Sequence, residues 1–176
     1  VNKSQSEGRG LMRSYGRASN AAFYRISECA FSRCAGGIEA RSMHGTIERC
    51  AFDRCHSSPD IAIGQGGSHN LGVQIADNWF ESSGDCAVAI DGLYSGIVER
   101  NSVAMGSAST AGCGFRVGHT ELPGEVRCRF ADNRWVCVSG SEFTAYDLGH
   151  RVNIISIDRD HWHVPQDAQW DGDVLT

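Results

Sequence analysis

The chain has 176 residues and a formal net charge of −5, and 41% of its residues are hydrophobic while 21% are charged. This composition excludes a disordered chain, no apolar run is long enough to cross a bilayer, and the acidic balance argues against nucleic acid as a partner. Lys3 is the only lysine of the chain, which has fifteen arginines, so any basic catalyst beyond the N-terminal residues is Arg or His.

Residues 1–22 are polar and rich in Gly, Ser and Arg, without a periodic pattern. We interpret them as an irregular N-terminal segment or cap. The chain neither begins with Met nor carries an apolar signal-peptide segment. We therefore interpret it as a piece of a longer protein, and further coils before residue 1 are the alternative to a cap.

From residue 23 onward one phrase recurs: an apolar residue, two polar residues, a Cys, Asn or Asp, any residue, and then an aromatic residue or Val. Within each step a second short segment has apolar residues two positions apart, which predicts strands with one buried face. The six copies of the phrase begin at Ile26, Ile47, Ile75, Val98, Phe130 and Ile157.

A repeat made only of strands cannot bury its apolar face alone, but stacked coils can. We predict an all-β fold, a single right-handed parallel β-helix of three sheets and about six coils over residues 23–164, with residues 165–176 as a tail that covers the last coil. The phrase, followed by a Gly-Ile-x-apolar strand, resembles the repeat of the pectate-lyase-like superfamily. The resemblance implies an asparagine ladder, which Asn78, Asn101 and Asn133 match, Asp160 matches roughly, and Cys29 and Cys50 do not.

The residue before the ladder position alternates in sign from coil to coil, which predicts a salt-bridge ladder that fixes the register. Its members are Glu28, Arg49, Asp77, Arg100, Asp132 and Arg159.

Six of the eight cysteines fall into columns generated by the repeat. Reduced thiols that fill the core are the preferred interpretation. Disulfides between coils and a four-cysteine zinc site are the alternatives. The columns are Cys29/Cys50, Cys34/Cys55 and Cys86/Cys113, and the zinc site would use the first four of these cysteines.

A group of polar residues gathers beside the second strand of coils three to five: Asp91, Arg116, His119, Asp147 and His150. Two carboxylates could act as general acid and base on a glycosidic bond, Arg could bind a sugar carboxylate, and His beside a carboxylate could titrate near neutrality. Asp91 and Asp147 are also candidate ligands for Ca²⁺, and no other cofactor is predicted. A solvated sheet face with ordinary surface charges is the alternative interpretation.

Two further motifs have structural interpretations. His161 and His163 lie two residues apart, which suits a metal pair, but a terminal-coil surface is preferred because no third ligand is evident. Trp135 and Trp162 could stack on sugars, but their place in the repeat predicts that both lie in the core.

Two functions are consistent with the sequence. The first is a carbohydrate-active module that binds, and as a polysaccharide lyase or glycoside hydrolase cleaves, a glycan, with Arg, His and Asp chemistry and no catalytic Lys. The resemblance implies a Lys or Arg base in lyases of this fold, which leaves Arg116 or Arg100 here. The alternative is a non-catalytic tail-spike, adhesin or surface-protein fragment, which could be a trimer. Both favour an extracellular or cell-surface location.

Overall fold

The computed structural model describes residues 12–14, 23–40, 44–55, 59–64, 69–81, 85–105, 113–119, 126–137, 143–149, 152–163, 170–171 and 174–175. All the regular structure in these ranges is β-strand. The described residues therefore contain no helix that is long and apolar enough to cross a membrane. The all-β prediction is confirmed.

The strands form three sheets, each of which takes one strand from every coil. Sheet A contains β1 (Met12–Ser14), β4 (Ile38–Ala40), β7 (Ile61–Ile63), β10 (Cys86–Ile90), β13 (Cys113–Val117) and β16 (Phe143–Leu148). Sheet B contains β2 (Phe23–Ser27), β5 (His44–Glu48), β8 (His69–Ala76), β11 (Leu93–Glu99), β14 (Val126–Ala131) and β17 (Val152–Asp158). Sheet C contains β3 (Ala30–Ser32), β6 (Ala51–Asp53), β9 (Trp79–Glu81), β12 (Ser102–Met105), β15 (Arg134–Cys137) and β18 (His161–His163).

The chain visits sheets A, B and C in turn and pairs each strand in parallel with its counterpart one coil away. The predicted right-handed, three-sheet parallel β-helix of about six coils is confirmed. Sheet A begins at β1, before residue 23. At the other end β20 (Val174–Leu175) pairs antiparallel with β16 and with β19 (Trp170–Asp171), so the C-terminal residues lie along the edge of the last coil.

The core consists of in-register columns of inward-facing side chains. In sheet C, Phe31, Phe52 and Phe80 stack with ring centroids 4.9 and 5.0 Å apart, and Trp135 is fully buried. The prediction that Trp162 is also a core residue is wrong, because its side chain is 40% exposed. One face of Trp162 stacks on Trp135 at 5.5 Å, but β18 is the last strand of its sheet among the described residues.

The asparagine ladder lies at the corner between sheets B and C. The Oδ1 atom of Asn101 accepts hydrogen bonds from the backbone N–H and the Nδ2 atom of Asn78, each at 3.0 Å. Asn133 repeats this arrangement below Asn101, and Asp160 repeats it below Asn133. In the second coil, Cys50 takes the ladder position, and its backbone N–H donates to Oδ1 of Asn78. The ladder satisfies buried backbone groups that the turn leaves without a sheet partner.

The same corner requires one residue with a positive φ in every coil. The six residues of the alternating charge column occupy this position, with φ between 52° and 58°. Each arginine of the column contacts the acidic residue of the preceding coil, which confirms the predicted salt bridges. These pairs are largely exposed, so each contributes about 0–1 kcal/mol. They are Glu28–Arg49 (3.1 Å), Asp77–Arg100 (2.9 Å) and Asp132–Arg159 (2.9 Å).

Candidate functional site

The outer face of sheet A carries one column of residues that lie between core-facing positions of each strand. The strand register aligns its five members from the second coil to the sixth. Since successive residues of a strand point to opposite faces, the column faces away from the core. Its members are Glu39, Ala62, Ala89, Arg116 and Asp147.

Arg116 is the centre of a charged group on this face. Its Nη2 and Nη1 atoms lie 2.6 and 3.2 Å from the two carboxylate oxygens of Asp85, a bidentate arrangement. Its Nε atom lies 3.5 Å from Oδ2 of Asp147. The hydrogen bonds that Arg116 donates to Asp85 raise the pKa of Arg116, so the guanidinium stays charged. Because Asp85 already occupies the bidentate face of Arg116, that face is not open to a sugar carboxylate.

His119 extends the group by one residue. Its Nε2 atom lies 2.9 Å from Oδ1 and 3.2 Å from the backbone oxygen of Asp147. Because Nε2 faces two acceptors, the neutral ring carries its proton there and leaves Nδ1 as the basic nitrogen. The side chains of His119 and Asp147 are each 38% exposed, so both are open to a ligand. A histidine oriented by a carboxylate is a typical general base.

Asp91 differs from the other candidate residues. It is only 3% exposed, and its Oδ1 atom accepts the backbone N–H of His119 at 2.9 Å. The structure therefore places Asp91 under the turn that follows β13, where it positions His119. His150, the fifth candidate, lies outside the described residues.

The structure adds Asp85 to the predicted site residues and places the predicted Cys86/Cys113 pair on the same side of sheet A. Asp85 immediately precedes β10, and Asp60 immediately precedes β7. This repeated carboxylate in the sequence is the pattern that could have predicted Asp85 as a site residue. Cys86 and Cys113 are register partners, and with Ala89 they form a buried apolar cluster separate from the main core. The alternation of apolar residues in the sequence did not predict that the two thiols lie on the side of sheet A away from the main core.

The seven described cysteines outside position 137 are free thiols, in agreement with the preferred interpretation. Cys29 and Cys50 donate to backbone carbonyls in the first two coils. Within the described ranges, no three His, Cys, Asp or Glu side chains are grouped so that they could hold a metal ion. His161 and His163 are both exposed residues of β18.

Comparisons with family models, with curated proteins and with solved structures returned no match to the chain. The parallel β-helix architecture therefore rests on the strand pairing described above. Membership of the pectate-lyase-like superfamily stays a prediction from the repeat phrase.

Proposed function

We propose that the protein binds a polysaccharide along the outer face of sheet A in its last three coils. The proposal is carried by the connected group of Asp85, Arg116, Asp147 and His119, which we call the sheet A cluster. Carboxylate, guanidinium and imidazole groups can exchange hydrogen bonds with sugar hydroxyls. Asp85, Arg116 and Asp147 come from successive coils about 4.8 Å apart and are 33%, 29% and 38% exposed, so they offer consecutive positions to a linear polymer.

The charge of the sheet A cluster favours one class of polymer. It contains two carboxylates and one guanidinium, and these three groups together carry one net negative charge. A uronate polymer would meet repulsion from Asp85 and Asp147, and Arg116 is already neutralised by them. We therefore propose that the polymer is neutral or contains amino sugars.

The proposal extends to cleavage through His119. The hydrogen bond from Nε2 to Asp147 would hold the ring and stabilise the imidazolium that forms when Nδ1 takes a proton. A glycoside hydrolase needs such a base to activate water, and a lyase needs one to remove a proton from the sugar ring. The products distinguish the two reactions.

Binding is tested by affinity electrophoresis against xylan, a soluble cellulose derivative, chitosan, alginate and polygalacturonate. We expect retention by a neutral polymer or by chitosan, and a loss of at least about tenfold in affinity for Asp147→Asn. Asp158→Asn is the matched control, because Asp158 is an exposed acid that pairs with Arg129 on sheet B. Retention by the polyuronates alone, or unchanged binding by Asp147→Asn, would contradict the proposal.

Cleavage is tested with His119→Gln, whose side-chain amide can still donate a hydrogen bond towards Asp147 but cannot act as a base. We expect binding to persist while the release of reducing ends falls by about 10²–10⁴-fold. We expect a hydrolase, because ultraviolet-absorbing unsaturated products would identify a lyase, which needs a uronate, and would contradict the proposed neutral or amino-sugar polymer. Wild-type protein that binds but cleaves no polymer of the panel would refute the catalytic part alone.

A second candidate function, a non-catalytic rod, is favoured by the last coil. Leu148, Ile157 and Trp162 occupy core-facing columns but are 48%, 47% and 40% exposed. Large apolar side chains with this exposure favour contact with another protein surface. Under this alternative the chain is a spike or adhesin rod whose copies associate, and sedimentation should show an oligomer that Trp162→Asp weakens. A monomer at every concentration would contradict it.

A further inference from the structure

The three stacked cysteine pairs differ in what their thiols contact. Cys29 and Cys50 donate to the backbone carbonyls of Ser27 and Glu48, at 3.3 and 3.4 Å. Cys34 likewise donates to Ser32 at 3.3 Å. These three cysteines and the buried Cys55 lie in or against the main core. Backbone acceptors and apolar surroundings are typical of inert structural thiols.

Cys86 and Cys113 form a different kind of pair. They are register partners in sheet A, where neighbouring parallel strands lie about 4.8 Å apart, within the Cα separation that a disulfide allows. A Cβ on Gly114 would lie 2.3 Å from the ring of Trp135, so position 114 faces the core. Cys113 instead clusters with Cys86 and Ala89, the register partner of Arg116, so it lies on the side of sheet A that carries Arg116.

The electrostatics of this pair favour a thiolate at one of its two members. A hydrogen bond from the Cys86 thiol lowers the pKa of Cys113, and the positive charge of Arg116 acts in the same direction against the effect of burial. The same hydrogen bond and burial raise the pKa of Cys86, which keeps its proton. The pair thus combines a nucleophilic sulfur with a protonated partner beside it, whereas burial raises the pKa of both Cys50 and Cys55.

We propose that Cys86 and Cys113 are a redox-active dithiol, which a hydroperoxide converts to a disulfide between the fourth and fifth coils. The Cys113 thiolate attacks one peroxide oxygen, the O–O bond breaks, and Cys113 becomes a sulfenic acid as hydroxide, or alkoxide from an organic peroxide, leaves. The sulfur of Cys86 then attacks the sulfenic sulfur, forms the S–S bond and expels the oxygen as water. Two thiols lose two electrons and two protons, and the peroxide is reduced. The site is independent of the proposed glycan binding.

The test is oxidation of the folded wild-type chain with graded hydrogen peroxide, followed by alkylation and digestion with trypsin and an Asp-N protease. These enzymes release Asp85–Ile90 and Asn101–Arg116, each with a single cysteine. We expect the free-thiol count to fall by two from eight, the two peptides to appear joined, and a reductant to separate them. No joined peptide, or earlier joining of the Cys29/Cys50 or Cys34/Cys55 pairs, would overturn the proposal.

Two variants assign the roles within the pair. In Cys86→Ser the sulfenic acid has no partner, so dimedone should label Cys113. In Cys113→Ser, dimedone labelling of Cys86 should be at least about tenfold lower than the labelling of Cys113 in Cys86→Ser, because the Cys86 thiol keeps its proton. Equal labelling in the two variants would refute the assignment of Cys113 as the nucleophile. Since the wild-type cross-link needs no variant, the proposal stays falsifiable even if a variant fails to fold.

Discussion

Asn101 offers the sharpest test of how the coils are held together. It is fully buried, and Ala in its place removes the acceptor of the Asn78 backbone N–H and the donor to the Ile75 carbonyl, both at 3.0 Å. In this variant the side-chain amide of Asn78 still donates to the Ile47 carbonyl, and Oδ1 of Asn133 still accepts the backbone N–H at position 101. Two buried groups therefore lose a partner at about 1–3 kcal/mol each, so we expect Asn101→Ala to lower the free energy of unfolding by about 2–6 kcal/mol.

The assay is chemical denaturation followed by far-ultraviolet circular dichroism, with Ser156→Ala as a control at an exposed polar position. Asn101→Cys is the informative intermediate, because Cys50 holds the same ladder position and its thiol donates to a carbonyl. Such a thiol can replace the donor but not the acceptor, so we expect about half the loss. If Asn101→Ala shifts the unfolding midpoint no more than Ser156→Ala does, the ladder does not stabilise the coils as argued.

Three further predictions concern pH, packing and backbone strain. Burial and the hydrogen bond to Asp160 raise the pKa of Tyr146 in the folded chain above its value of about 10 in the unfolded chain, so its contribution to stability is complete below about pH 10 and is lost as the pH rises further. Tyr146→Phe should therefore weaken the alkaline loss of stability in pH-jump denaturation. An unchanged loss would show that Tyr146 does not cause it. Gly114→Ala should cost about 1–3 kcal/mol in thermal unfolding, since its Cβ would meet the ring of Trp135, and a neutral result would contradict that contact. Arg54, with φ of 52°, should rank between a more stable Gly and a less stable Val in melting temperature, and any other order would argue against strain at this turn.

Much of the fold was predictable because one short phrase specifies a whole corner of the coil. The apolar residue of the phrase ends up in sheet B, the next two include the positive-φ residue, and the aromatic residue enters sheet C. Equivalent positions of stacked coils must coincide, so the charge column and the cysteine columns followed from counting. Trp162 was missed because the same counting treats the last coil like an inner one.

The site was predictable only in part. The alternation of apolar residues in the sequence places Arg116 and Asp147 at equivalent positions of neighbouring coils, and it predicts both as site residues. Asp85 lies 31 residues before Arg116 in the sequence, and only the stacking of β10 on β13 brings their side chains together. Asp91 looked equivalent to Asp147, but its burial under His119 depends on the turn after β13.

The sequence by itself determined the coil, because alternation, the ladder residue and the opposite charges of neighbouring coils all require the same in-register parallel stack. Only the tertiary structure decided what each outward residue contacts. The connections between strands vary in length, so the position of a residue such as Asp85, which precedes its strand, is not periodic. The acidic group around Arg116 comes from three successive coils and the thiol pair beside it from two, and packing in register brings these side chains together.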